Sequence, residues 1–195
     1  MRKGVFLLPL LLLLLSGCEI LPFARELEST MLVQVLGVDW EEGVVTLTGA
    51  ADSGEKGEAS VLSASGETIE KAEAALKGEG EEYVSLTHVT QLVLGAGTDL
   101  AVVLEAVLKE PALGQSATVW LAEEGRARTL MKEVGGGAKR LSSIELNGDV
   151  QPITVLQGMM RLREQGRVEI PVLRAEEDNL VPAGTKTIWE AADEK

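Results

Sequence analysis

One cysteine and one histidine are all that this 195-residue chain has of the side chains that build most thiol and metal sites. Cys18 has no partner for an intrachain disulfide, so the fold must be held by packing alone. His88 by itself cannot assemble a zinc set, and beyond the single Cys18 no cysteine or second histidine exists to complete one. Aromatic residues make up only 3% of the chain, and beyond the first eighteen positions they are Phe23, Trp40, Tyr83, Trp120 and Trp189. Small-ligand clefts draw on aromatic and polar groups converging on one pocket, so this scarcity counts against a dedicated one. Positive charge is short as well: 18 Lys and Arg face 31 Asp and Glu, for a formal net charge of −13. So acidic a surface repels nucleic acid and anionic headgroups, and the pairs Arg126/Arg128 and Lys139-Arg140 are too sparse to reverse that. A further absence is any apolar run of the ~20 residues that a membrane-spanning helix needs.

The apolar segment that does exist is short and lies at the start. Arg2 and Lys3 precede Val5 to Leu15, which has the length and flanks of a signal-peptide core. Leu15-Ser16-Gly17-Cys18 follows and resembles the lipobox of bacterial lipoproteins, in which a lipid is attached to the cysteine and cleavage leaves that cysteine first. The plainer alternative is an ordinary secretory signal with an incidental cysteine. The lipobox reading makes residues 1–17 a signal peptide, Cys18 the lipidation site and residues 18–24 a tether. The mature chain then has 178 residues, and loss of Arg2 and Lys3 takes the net charge to −15. A lipid anchor with two acyl chains holds stably at a membrane, at ~0.8 kcal/mol per buried methylene, so the domain needs no apolar membrane face of its own.

Beyond the tether, pattern predicts strands alternating with helices. Met31–Asp39 reads as a buried strand, Glu41-Glu42-Gly43 as a turn, Val44–Thr48 as its hairpin partner and Ser60–Ser65 as a third strand. Between these, the polar 52–58 segment reads as a loop. Thr68 caps a predicted helix with Ile69, Ala72 and Leu76 on one face, stopped by Gly78 and Gly80. Leu86–Leu94, carrying His88, reads as a strand ended by Gly95-Ala96-Gly97. Thr98 or Asp99 then caps a helix over Leu100–Lys109, and Pro111 enforces its end. Ala117–Ala122 reads as a strand, Ala127–Val134 as a helix broken by Gly135-Gly136-Gly137, and Thr154–Gln165 as a helix with Gly166 as C-cap. Short β-like pieces at Val168–Leu173 and Lys186–Trp189 and an acidic end complete the chain. The fold class expected is α/β (α+β), a mixed β-sheet with helices packed on it, preceded by the lipoprotein signal peptide.

Several of these stretches, in order, carry a family resemblance. Arg25-Glu26-Leu27-Glu28 leads into a strand closing with Leu36-Gly37-Val38-Asp39, as an Arg-Glu-Ile-Glu-like start leads to Gly-Ile-Asp in the spore germinant-receptor C subunits, the Ger(x)C lipoproteins. Gly66-Glu67-Thr68-Ile69-Glu70-Lys71-Ala72 resembles that family's Gly-x-Thr-Ile-x-x-Ala helix start. Leu86-Thr87-His88-Val89 and the strand to Gly95 resemble its Gly-His-x-Lys strand. Leu108-Lys109-Glu110-Pro111 stands where the family has Arg-Asp-Pro, and Ala117–Leu121 matches in pattern. The resemblance covers Arg25 to Val134, and more weakly runs on to Pro171. Departures are Thr87 in place of Gly and Lys109-Glu110 in place of Arg-Asp. Family members also run to roughly twice this length, so the resemblance makes residues 25–150 the N-terminal-like domain, 151–195 its extension, and leaves the family's C-terminal domain absent. It implies a non-catalytic, lipid-anchored subunit on the outer face of the inner spore membrane, in complex with polytopic receptor subunits that sense small nutrients. The alternative is a free-standing extracytoplasmic lipoprotein that binds a small ligand or another envelope protein.

No residue pattern calls for catalysis, and no cofactor or metal site is expected. A Ser-His-Asp arrangement around His88 has no Gly-x-Ser-x-Gly elbow behind it, so His88 reads as a strand-end residue satisfied by the backbone. Gly95-Ala96-Gly97 superficially resembles a phosphate loop, but it lacks both the third glycine of the dinucleotide fingerprint and a Walker lysine. Asp39 reads as a turn former before Trp40-Glu41-Glu42-Gly43 rather than as a ligand or catalytic acid. The acidic patches Glu79–Glu82, Glu123-Glu124 and Glu176-Glu177-Asp178 read as solvated loops, without the spacing of a calcium loop. A hydrolase would have only His88 to build on.

Overall fold

Two residues turn the chain back on itself at the start of the sheet. In the computed structural model, which describes residues 30–51, 60–78, 83–110, 113–133, 137–148, 150–177 and 179–189, Glu42 and Gly43 have φ of 50° and 79°. Paired positive φ is what a two-residue hairpin turn needs, because its twist then matches that of the strands. The turn joins β2 (Val35–Glu41) to β3 (Val44–Ala51) in antiparallel register from Glu41↔Val44 to Val35↔Ala50. β4 (Ser60–Gly66) adds antiparallel to β3, with Thr46–Ser65 and Thr48–Ser63 hydroxyl pairs bridging the strands at 2.8 and 3.1 Å. The signal peptide, Cys18, the tether, Arg25–Glu28, the 52–58 loop and Pro111 lie outside the described residues.

The chain then crosses back over β2. Helix α1 (Ile69–Gly78) leads to β5 (Tyr83–Ser85), which pairs with β1 (Thr30–Leu32) in a separate two-stranded sheet. From there β6 (Gln91–Leu94), β7 (Thr118–Ala122) and β8 (Arg167–Glu176) add successively in parallel beside β2, and β9 (Asn179–Trp189) closes the series antiparallel to β8. The result is an α/β fold with a seven-stranded mixed sheet in the order β4-β3-β2-β6-β7-β8-β9. The segment from residue 151 supplies α5 (Val155–Gln165), β8 and β9 to that same sheet. Residue contacts divide the chain into Met1–Thr30 and Met31–Lys195, and the sheet belongs to the second unit.

Both faces of the sheet are covered, which is why its parallel strands are apolar almost throughout. Side chains alternate across a strand, and here Leu36, Val38, Leu92, Leu94, Val119 and Leu121 join one core with α1, α2 (Leu100–Lys109) and α5. Val35, Val93, Trp120 and Ala122 join the other with α3 (Ala127–Glu133) and α4 (Ala138–Asn147). Local signals set the helix starts. Thr68 Oγ1 accepts from Lys71 N, Asp99 accepts from Val102 N, and Thr154 and Gln157 form a reciprocal capping box. Gly166 ends α5 in the left-handed region at φ 66°. Among the described residues no helix is long and apolar enough to cross a membrane.

Three expectations need correction, and one helix has no counterpart among the expected elements. The Met31–Asp39 strand is two strands in two sheets, because Val33 N donates to Ser85 O and the Gln34 carbonyl accepts from Thr90 and Gln91. Leu86–Leu94 is not one strand: Val89 N turns back to Leu86 O, so pairing begins only at Gln91, and His88 lies in the turn. A helix, α4, follows the glycine run, with Gly137 at its N-cap at φ 70° and Ala138, Leu141 and Ile144 buried. The two short pieces near the end are one long hairpin, paired from Arg167↔Trp189 to Glu176↔Asn179 with a bulge at Val172/Leu173.

Candidate functional site

The parallel strands β2, β6 and β7 all point their C-terminal ends the same way, and the chain order reverses direction beside β2. In open α/β sheets that end is where ligands bind, and here it gathers Asp39, Gly95, Thr98, Arg126 and Arg128. Asp39, 5% exposed, is one of few buried acids. Its Oδ1 accepts from Ala127 N at 2.7 Å and its Oδ2 from Arg128 N at 3.0 Å, so the carboxylate caps α3 across the end of the sheet. Burial pushes the Asp39 carboxyl above its ordinary pKa, and the two amide bonds offset part of that rise.

Gly95 makes room for this contact. A Cβ there would lie 2.2 Å from Asp39 Oδ1, so any side chain would displace the acid from the helix. Thr98 finishes the junction by accepting from Trp40 N at 3.2 Å and donating to the Val38 carbonyl at 3.3 Å. Cap duty for α2 therefore falls to Asp99 alone. Nearer solvent, Arg126 Nε and Nη2 grip Glu41 through both carboxylate oxygens at 3.0 and 2.5 Å. Beside that pair lies a depression of about 290 Å³, lined by Asp39, Glu41, Glu42, Val44, Thr46 and the two arginines.

The other candidates lie apart from this junction. His88 Nδ1 is 3.1 Å from Thr87 Oγ1, which is 3.0 Å from Ser85 Oγ, on an exposed turn without an acid in the chain of contacts. The expected backbone partner for His88 is a neighbouring hydroxyl instead. In the glycine loop, Gly95 N donates to Val38 O, Ala96 N to Gly125 O and Thr98 N to Gly95 O. Those amides are engaged within the protein, so the loop is a strand-to-helix turn. Glu123 and Glu124 are exposed in the β7–α3 turn, as are Glu176 at the end of β8 and Glu177 beyond it, while Glu79–Glu82 and Asp178 lie outside the described residues. Among the described residues no group of three or more His, Cys, Asp or Glu is placed to hold a metal ion.

Two polar contacts have no local signature in the sequence. Asp39 meets its partners 88 and 89 positions away, which no local pattern announces. Buried Gln91 accepts from Trp120 Nε1 at 2.6 Å and donates to Glu145 at 3.3 Å, tying β6 and β7 to α4. Comparison of the chain with protein-family models, curated proteins and solved structures found no match.

Proposed function

We propose that the protein is a lipid-anchored, non-catalytic subunit of a spore germinant-receptor complex, held at the outer face of the inner spore membrane through lipid on Cys18. The observation that carries this reading is the ordered set of family-like stretches and the work their residues do. Leu36–Asp39 lies within β2, Gly66–Ala72 spans the β4–α1 turn, Gln91–Gly95 the strand and loop of β6, and Ala117–Leu121 opens β7. Asp39 and Gly95 are joined in one helix-capping contact, and a Cβ on Gly66 would lie 2.5 Å from Ala72 N. Each is a position the fold itself requires, so what the chain has in common with that family is scaffold. A scaffold whose buried acid is already occupied suits a protein-binding module better than a catalyst. The partners on this reading are the membrane, through Cys18, and polytopic receptor subunits, with no cofactor and no nucleic acid.

The competing reading, a free-standing lipoprotein that captures a small ligand, would draw on surface depressions such as the one beside Arg126 and Arg128. At about 290 Å³ it is at the bottom of the ~300–1,000 Å³ range of small-molecule sites, and it is open to solvent. Affinity purification of the tagged protein from detergent-solubilised spore membranes, with Cys18→Ala alongside, tests the proposal. Multi-spanning receptor subunits should co-purify with the wild type, and the variant should leave the membrane fraction. Wild-type protein that purifies without any multi-spanning partner would overturn the receptor reading.

A further inference from the structure

The seven-stranded sheet has two edges, and the chain treats them differently. The β9 edge carries the devices that block strand addition. Pro182 lacks an amide, Gly184 has φ 105°, Lys186 places a charge on the edge, the β8–β9 ladder is bulged at Val172/Leu173, and Arg140 Nε takes the Leu180 carbonyl at 3.0 Å. β4, Ser60-Val61-Leu62-Ser63-Ala64-Ser65-Gly66, has none of them: no charge, no proline, and unbroken register with β3 from Ala51↔Ser60 to Val45↔Gly66. Among the described residues no strand pairs with its outer side. In an antiparallel ladder every second residue turns both its N–H and its C=O away from its partner, so β4 offers a row of groups that no strand among the described residues pairs.

We infer that this edge is a self-association surface, where β4 of one copy pairs antiparallel with β4 of a second copy about a two-fold axis at Ser63. An isologous interface must be complementary to itself, and this strand is. With Ser63 opposite Ser63, Leu62 falls opposite Ala64, Val61 opposite Ser65 and Ser60 opposite Gly66, so each larger side chain meets a small one on both faces of the extended sheet. Charge within the strand is no barrier to that occupant. Copies of a chain with net charge −13 repel one another, and a seven-residue uncharged strand lets them meet without opposing like charges within the paired strands. One strand pair buries less than the ~1,200 Å² of a stable interface, so the dimer is weak and reversible in solution.

The test uses the full chain in detergent with Cys18→Ser, so that an introduced thiol is the only one. Opposed Cα atoms in an antiparallel pair lie roughly 4.5–5.5 Å apart, within disulfide reach. Ser63→Cys should therefore oxidise to a covalent dimer at least tenfold more efficiently than Lys186→Cys on the other edge. Ser60→Cys, held far from its own copy by the two-fold register, should cross-link no better than Lys186→Cys. Equal cross-linking at Ser63 and Lys186, or at Ser63 and Ser60, overturns the pairing. Sedimentation velocity adds an independent reading. The chain without these introduced thiols should show concentration-dependent dimer, and Ser65→Lys, with an unchanged thermal melt, should weaken it tenfold or more. A monomer at every concentration, or a dimer indifferent to Ser65→Lys, also refutes the inference.

Discussion

Replacing Asp39 by alanine removes the carboxylate that ties β2 to the first two backbone amides of α3. Two backbone donors lose their acceptor, and one of them, on Ala127, is fully buried. An unpaired buried amide costs about 1–3 kcal/mol, and loss of a helix cap about 0.5–2 kcal/mol. The two figures describe overlapping losses. Burial already opposes the ionised acid, so the expected cost is about 2 kcal/mol. Against a typical domain stability of ~5–15 kcal/mol this lowers the urea midpoint clearly without unfolding the chain. Asp39→Asn should fall between, since its carbonyl can accept from one amide while its NH₂ faces the other donor. Urea titrations of the three proteins, followed by circular dichroism with a common m-value, measure this directly. An Asp39→Ala midpoint within about 0.5 kcal/mol of wild type would refute the assignment of Asp39 as the clamp between sheet and helix.

Gly95→Ala should be nearly as damaging as Asp39→Ala, because its Cβ would occupy the place of Oδ1. The double variant should then be barely worse than either single one, whereas additive losses in a double-mutant cycle would show that the two residues act separately. The titration of Asp39 has a definite sign. Its folded-state pKa is raised, so the native state holds the proton more tightly than the unfolded chain, and the associated stabilisation is present at low pH and lost as pH rises through the folded value. Wild type minus Asp39→Asn stability should therefore decline as pH rises through the carboxylate range, and an increase would contradict the burial argument. Gln91→Leu should cost about 1–3 kcal/mol by stranding the Trp120 indole N–H, measured by thermal unfolding, and a neutral effect would remove that contact from the account.

The sequence carried the local part of this structure well. The β2–β3 hairpin follows from Glu42-Gly43 between β-branched runs, and α5 from the Thr154–Gln157 capping pair and Gly166, each a signal contained within a few residues. What failed depended on partners far along the chain. Leu86–Val89 runs into the apolar, β-branched stretch to Leu94 and so reads as part of one strand, but Val33 and Gln34 already occupy Ser85, Thr90 and Gln91, and the chain must turn at His88 to change sheets. Helix α4 was hidden because its Ser and Asn residues are weak helix formers and Gly137 looks like a breaker. Its buried residues, Ala138, Leu141 and Ile144, do recur at three-residue spacing. The β8–β9 hairpin looked shorter than it is because one of its faces carries Arg167, Glu169, Thr185 and Thr187 in the open. Asp39 reads as a turn former from its neighbours, and its capping role exists only once β2 and α3 are side by side.

The claim at the centre of the account is that this chain serves a nutrient receptor from the membrane surface. Spores of the encoding organism that lack the gene, scored for nutrient-triggered germination and complemented with wild type or Cys18→Ala, test it most directly. Loss of the nutrient response, restored by wild type and not by Cys18→Ala at equal protein level, is the expected result. Spores that germinate normally without the protein, on every nutrient that triggers the parent strain, would contradict it.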